Sequence, residues 1–240
     1  MEQKKMIIIG ASSGIGREIA SIYVGMGWKV GITGRRYPLL QQFEEQHPGQ
    51  VVCSSFDVMG EENQPKMNAL INALGGLDLL IYNAGFGDVS KDLLWNIEER
   101  TTRTNVMGFV EIVCYAFNFF AKKGSGQIAV VSSVAALRGN SWAPSYSASK
   151  AFMSRYAEGL NIKADRMKKK IVVTDIKPGF IDTKMAKGEK RFWMASPQKA
   201  AHQIVKAIQK KRRKVYITRR WWLIAQILKI LPYVIYKRLG

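Results

Sequence analysis

Tyr146 and Lys150 stand four residues apart in Tyr-Ser-Ala-Ser-Lys, and together they could move a proton. At helical spacing they share one face. An ammonium near a phenol favours the phenolate, so the tyrosine pKa is expected to fall towards working pH. Such a group can donate a proton to a developing alkoxide. The pair alone is common by chance, and its plain alternative is two residues on a surface helix. Upstream, Ser132 and Ser133 close a strand-like run, where a hydroxyl could hydrogen-bond a substrate carbonyl. Asn105 falls within a long helical stretch, where asparagine is a modest helix former. Buried there, it could order a water for proton delivery.

A second constellation suits a nucleotide. An apolar strand runs into Gly10-Ala-Ser-Ser-Gly14-Ile-Gly16, which opens a helix. Gly10 allows a tight turn, Gly14 lets a pyrophosphate approach the backbone, and Gly16 lets the helix pack closely. Ser12, Ser13 and Ile15 complete that candidate site, and the helix start offers N–H groups to an anion. The next strand ends in Thr33-Gly34-Arg35-Arg36. An NAD site would usually place an acid there for the ribose 2′-OH. Two guanidiniums suit a 2′-phosphate instead, so the expected cofactor is NADP(H); the alternative is two solvated surface arginines. Asp57, followed by Val58, could accept the adenine amino proton or simply cap a turn. Asn83-Ala84-Gly85 ends another strand at the expected ligand edge.

These residues need a scaffold that brings strand ends to one edge. Strand signals fall at Lys5–Ile9, Lys29–Thr33, Val51–Ser54, Leu77–Tyr82, Gln127–Ser132, Ile171–Ile176 and Lys214–Thr218. Helical signals fall between them, at Gly14–Gly27, Pro38–Gln46, Glu61–Leu74, Ile97–Lys122, Tyr146–Met167 and Pro197–Lys210. This alternation implies right-handed crossovers and a doubly wound parallel sheet with helices on both faces, an α/β Rossmann-type single domain. Lys184–Ser196 is the least regular stretch and reads as a flap; its Phe192, Trp193 and Met194, with Phe86 and Phe180, suggest a large apolar pocket.

The ordered set Gly10–Gly16, Asn83–Gly85, Asn105, Ser133 with Tyr146 and Lys150, and Pro178-Gly179 followed by Thr183 resembles the short-chain dehydrogenase/reductase family, over roughly Lys5–Thr218. The resemblance implies roles position by position. Tyr146 would be the acid/base, and Lys150 would bind the nicotinamide ribose and tune it. Ser133, rather than Ser132, has the family's 13-residue offset to Tyr146 and would polarise the carbonyl. Asn105 would support the proton relay. Ile181 and Thr183 would contact the carboxamide. Ile9 stands where the family often has threonine. The family also implies a homodimer or homotetramer through the Ile97–Lys122 and Tyr146–Met167 helices.

Composition bounds the rest. Cys53 and Cys114 are the only cysteines among 240 residues; each reads as a small core residue, and a reducing, cytoplasmic setting fits better than a disulfide framework. His47 and His202 read as exposed helix residues outside every motif, and no His, Cys or acid spacing suits a metal. The net charge is +19, with eleven Lys and Arg but no Asp or Glu from Ala200 to Gly240. Residues 1–218 read as the catalytic domain and 219–240 as an amphipathic extension. In that extension Trp221–Tyr236 is apolar except for Gln226, Lys229 and Pro232, and arginines and lysines flank it. It is too short for an ordinary spanning helix. Two readings stay open: a segment lying on the inner face of a membrane, or a helix packed on the core or a second subunit. Nucleic acid is not expected, since the aromatics cluster in an apolar block instead of interleaving with basic residues. The functional expectation is reduction of a bulky apolar or lipid-like carbonyl. The alternatives are an NADP-dependent dehydrogenase of a small hydroxy compound, such as a hydroxy amino acid, and a non-catalytic, nucleotide-responsive binding protein.

Overall fold

The computed structural model describes residues 3–182 and 193–238. Seven parallel strands form one sheet: β1 Lys5–Ile9, β2 Lys29–Gly34, β3 Val51–Ser55, β4 Leu79–Tyr82, β5 Ser125–Val131, β6 Lys170–Pro178 and β7 Lys214–Ile217. Their order across the sheet is β3-β2-β1-β4-β5-β6-β7. Winding proceeds outwards from β1 in one direction and resumes at β4 in the other, so a crevice opens between the ends of β1 and β4.

The continuous apolar run of β1 has a direct cause, because successive side chains point to opposite faces and both faces are covered. Met6 and Ile8 enter a core with Ile19 of α1 (Gly14–Gly25), Leu40 of α2 (Tyr37–Glu45) and Ile204 of α7 (Pro197–Gln209). Ile7 and Ile9 enter a second core with Leu70 of α3 (Asn63–Leu74), Phe109 of α5 (Gly108–Lys123) and Met153 of α6 (Pro144–Arg166).

Three helices depart from the sequence expectation. The stretch expected as one helix from Ile97 to Lys122 begins earlier as α4 (Trp95–Thr102), passes through a π-helical turn at Arg103–Met107, and continues as α5. The buried Tyr82 hydroxyl donates to the Thr104 carbonyl at 2.8 Å. That bond competes with the helical ladder and gives the widened turn its cause. Trp95–Lys123 is long and apolar enough to cross a membrane, but half of its apolar window is buried, as in a core helix. α3 starts at Asn63, not Glu61, because Glu62 takes a left-handed φ of 65°. α6 starts two residues before Tyr146, with proline in its first turn.

The C-terminal segment forms α8 (Arg220–Ile230) and the short α9 (Tyr233–Tyr236). Trp221 and Ala225 on the inner face of α8 are buried with Tyr216, against Val134 and Leu137 of a 3-10 turn. Gly179 lies so close to the Trp221 indole that a Cβ there would fall 2.0 Å from it. The cysteine expectation needs correction. Cys114 is exposed on α5, and Cys53 is only half-buried. The Cys53 thiol donates to Glu44 Oε2 at 3.0 Å, and burial together with Glu44 pushes its pKa up to about 12. His202 is exposed on α7, but His47 is half-buried, edge-on to Phe43 just past the end of α2.

Candidate active site

Strand register delivers the site. Ile9 lies opposite both Thr33 and Tyr82, Tyr82 opposite Val130, and Val131 opposite Ile176. The chain therefore leaves β1, β4 and β5 at one edge, where the residues after each strand meet.

The glycines close the turn after β1. Gly10 has φ +87°, and a Cβ on it would sit 2.8 Å from the Ala84 backbone. A Cβ on Gly16 would fall 2.1 Å from the Gly10 carbonyl oxygen. Asn83 Nδ2 donates to that oxygen at 2.7 Å and ties the β4 turn to the β1 turn. Gly14 has φ +61°. α1 starts behind Ser13, which makes no side-chain cap, and its first turn holds no acid. Its N–H groups and dipole could receive an anion without competition from a carboxylate in the first turn. Ile15 is half-buried against the core.

The two arginines divide their contacts. Arg36 donates to Ser12 Oγ at 3.1 and 2.7 Å and to Ser13 Oγ at 2.6 Å. Arg35 lies 3.6 Å from Asp57 Oδ2. Asp57 also accepts the Met59 N–H at 3.0 Å, so it caps its own turn, beside the buried Val58. This cradle of missing Cβ atoms, a free helix start and two guanidiniums fits a dinucleotide phosphate.

Around Tyr146 the chain is crowded. Gly87 passes against the ring so closely that a Cβ would lie 2.3 Å from it. Lys150 is buried, its Nζ donates to the Val131 carbonyl at 2.9 Å, and it lies 5.8 Å from the Tyr146 ring centre. A Cβ on Gly85 would come within 3.3 Å of that Nζ and 3.5 Å of Asn105 Oδ1. Asn105 is fully buried. Its Oδ1 accepts the Phe86 N–H at 2.9 Å, while its Nδ2 donates to the Phe86 carbonyl at 2.7 Å and to Ser149 Oγ at 2.9 Å. Its side chain clamps the loop after β4.

The expected fall in the Tyr146 pKa is not what the site produces. Burial raises it, with a hydrogen bond from Ser133 acting in the opposite direction. The residue is half-buried, and the cost of desolvating the charged phenolate sets the direction. The Lys150 ammonium donates to the Val131 carbonyl, and desolvation remains the larger influence on the phenol. Burial, opposed by Asp175, lowers the Lys150 pKa to about 8.

The two serines behave differently. Ser133 approaches Tyr146. Ser132 turns away: its hydroxyl donates to Asp175 Oδ1 at 2.5 Å and lies 3.0 Å from the Ile176 carbonyl oxygen. Asp175 belongs to a buried network that the sequence reading missed. Its Oδ2 accepts from Lys177 Nζ at 3.0 Å and Ser154 Oγ at 2.7 Å, and both charged groups are 2% exposed. The signal was present in Val-Thr-Asp-Ile-Lys, since an acid and a base two apart on a buried strand must share one face.

Pro178 ends β6, and Ile181 is buried and bridged to Ala195. Thr183 and Phe192, expected at the site, lie outside the described residues. Among the described residues, no group of three or more His, Cys, Asp or Glu could hold a metal ion.

The family model described as short chain dehydrogenase matches residues 4–193. An uncharacterized oxidoreductase of Mycobacterium tuberculosis is 28% identical over 240 residues, covering 95% of this chain and 93% of that protein. A hydroxysteroid 11-beta-dehydrogenase 1-like protein B of Xenopus laevis is 30% identical over 218 residues, covering 85% of this chain and 74% of that protein. A crystal structure of a short-chain dehydrogenase from Streptomyces avermitilis superposes with a TM-score of 0.81 at 24% identity, covering 95% of this chain and 91% of that one.

Proposed function

The chain belongs to the short-chain dehydrogenase family, and from that premise we propose that it reduces a ketone or aldehyde on a bulky apolar substrate, with NADPH as reductant. It is an oxidoreductase of that family, and the family uses a nicotinamide dinucleotide. When bound, the nicotinamide supplies the hydride. Tyr146 donates its hydroxyl proton to the carbonyl oxygen as that oxygen gains charge. Ser133 hydrogen-bonds the same oxygen. Lys150 would hold the ribose, and its positive charge would steady the phenolate left behind. Asn105 fixes Phe86, and so the loop that carries Gly85 and Gly87. Asn83, Ala84 and Gly85, with Pro178, Gly179 and Ile181, would border the nicotinamide end of the dinucleotide.

One observation carries the reading. Tyr146 and Ser133 meet at the carboxyl edge of the sheet, with Lys150 one helical turn along. The raised Tyr146 pKa favours a phenol at neutral pH, which is the form a reductase needs. The preference for the 2′-phosphate rests on Arg35 and Arg36, with Ser12 and Ser13 beside them. The apolar substrate rests on exposed Phe180, Trp193 and Met194. The hydroxysteroid dehydrogenase-like relative points the same way.

The proposal extends to a homodimer or homotetramer through α4–α5 and α6. It also covers a cytoplasmic setting and an extension, 219–240, that touches the inner face of a membrane. The test is NADPH and NADH oxidation by purified protein over carbonyls graded from small and polar to lipid-like. Turnover with NADPH that rises with apolar size supports the reading. Turnover confined to small hydroxy or keto compounds overturns the substrate class, and tight NADPH binding without turnover of anything would favour a binding protein.

A further inference from the structure

α8 and α9 leave an outward face that nothing among the described residues covers. Leu223, Ile227 and Ile230 lie on the side of α8 opposite the buried Trp221 and Ala225, and Tyr233, Val234 and Ile235 extend the face through α9. Ile230 is 81% exposed and Tyr233 72%. A surface helix ordinarily turns its polar residues outwards, whereas this one is apolar on both sides. The segment is nonetheless fixed in place. Arg138 Nη1 donates to the carbonyls of Leu228 and Leu231 at 3.2 and 2.8 Å, which caps the end of α8. The same guanidinium sits 4.4 Å over the Tyr236 ring, and the Tyr236 hydroxyl donates to the Gly139 carbonyl. The apolar face is therefore a shaped surface held against the body.

Charge selects what covers it. Arg219 and Arg220 precede the face, Lys229 flanks it, and Lys237 and Arg238 follow it; all five are exposed. No acid occurs from residue 200 onwards. A second copy meeting this face about a two-fold axis would bring five cations against five, uncompensated within the segment. An anionic lipid surface offers the opposite: hydrocarbon for the apolar side chains and phosphates for the cations. Trp222 and Tyr233 supply the amphipathic rings suited to that boundary.

We propose that the α8–α9 face docks peripherally on a bilayer containing anionic lipid, with Leu223, Ile227, Ile230 and Val234 in the interface and the five cations on headgroup phosphates. This deepens the membrane contact proposed above by naming its face and its partner, and it does not depend on which carbonyl is reduced. The inner side of the same helix is seated on the active-site rim. Trp221 fills the space above Gly179 and meets Phe180 edge-on, with ring centres 5.3 Å apart. A docked α8 therefore holds Gly179 and Phe180 near the lipid surface, where an apolar substrate would enter.

The test is flotation of the full chain with vesicles of phosphatidylcholine, alone or with phosphatidylglycerol, over a salt series. The expected result is binding to the mixed vesicles that weakens as salt rises and little binding to the neutral ones. An Ile227→Glu/Ile230→Glu variant should bind at least about tenfold more weakly, while its NADPH affinity, read by fluorescence titration, stays unchanged and reports an intact fold. Absence of flotation with either vesicle overturns the proposal, as does flotation of the double variant equal to that of the unaltered chain. A fall in oligomer mass in the variant, without vesicle binding by the parent, would assign the face to a second copy instead. Flotation needs no turnover, so it fails or succeeds separately from the carbonyl-reductase reading.

Discussion

Burial acts on Tyr146 and Lys150 in opposite directions, raising the phenol pKa and bringing the ammonium down to about 8. In the proposed mechanism Lys150 carries, below that pH, the charge that supports proton donation, and above it the charge is lost. Reductive kcat/KM should therefore hold through the neutral range and fall as pH rises through about 8; a rate that climbs across the same range would contradict the assignment. At the other end of the site, Arg36→Glu places a carboxylate where the guanidinium meets Ser12 and Ser13. Losing a charge-assisted bond is worth roughly ten- to a hundredfold, so the KM for NADPH should rise by about that factor while NADH is spared. Steady-state titration of both nucleotides reads the difference. The residue types and spacings were legible because turns, dipoles and proton donors demand particular side chains. The Tyr146 pKa was not, because it depends on how far the fold desolvates the phenol. For Asp57, both the turn cap and the arginine pairing depend on the fold.

At the scale of elements, β6 carries a buried ion pair that α6 and β5 complete through Ser154 and Ser132. Removing one partner strands the other charge in a low-dielectric interior. Asp175→Asn should cost about 3–5 kcal/mol of stability, seen as a lowered melting temperature. An Asp175→Leu/Lys177→Leu double variant should recover much of it, and equal melting of all three proteins would remove the pair from the stability account. A second contact belongs to β6 and α8. Gly179→Ala drives a Cβ into the Trp221 ring, and overpacking of this kind costs about 1–3 kcal/mol; thermal unfolding with and without Trp221→Gly would show whether the cost is that clash. Strand and helix order was readable because two-sided burial writes continuous apolar runs and helices write a longer period. The π turn was not, because its cause is the Tyr82 hydroxyl 22 residues away. The starts of α3 and α6 shifted for local reasons, a left-handed Glu62 and a proline in the first turn.

For the molecule as a whole, the parallel sheet brings the ends of β1, β4, β5 and β6 to one edge, so the proposed proton donor, loop clamps and phosphate cradle converge although they span Gly10 to Gly179. The fold followed from the alternation of elements, and the order of the motifs along the chain fixed the family. The C-terminal segment was only half legible. Its apolar composition fitted a packed helix and a membrane face equally well, and the structure shows one side packed and the other open. Losing the packed side should matter: Trp221→Ala should cost about 3–5 kcal/mol, detectable by denaturant titration. The most direct test of the central claim is NADPH oxidation by Tyr146→Phe beside the unaltered protein, on a carbonyl that the latter turns over, with NADPH affinity measured for both. Removal of the proton donor should lower kcat by about 10²- to 10⁴-fold with NADPH binding intact. Undiminished turnover would contradict the assignment of Tyr146 as the acid.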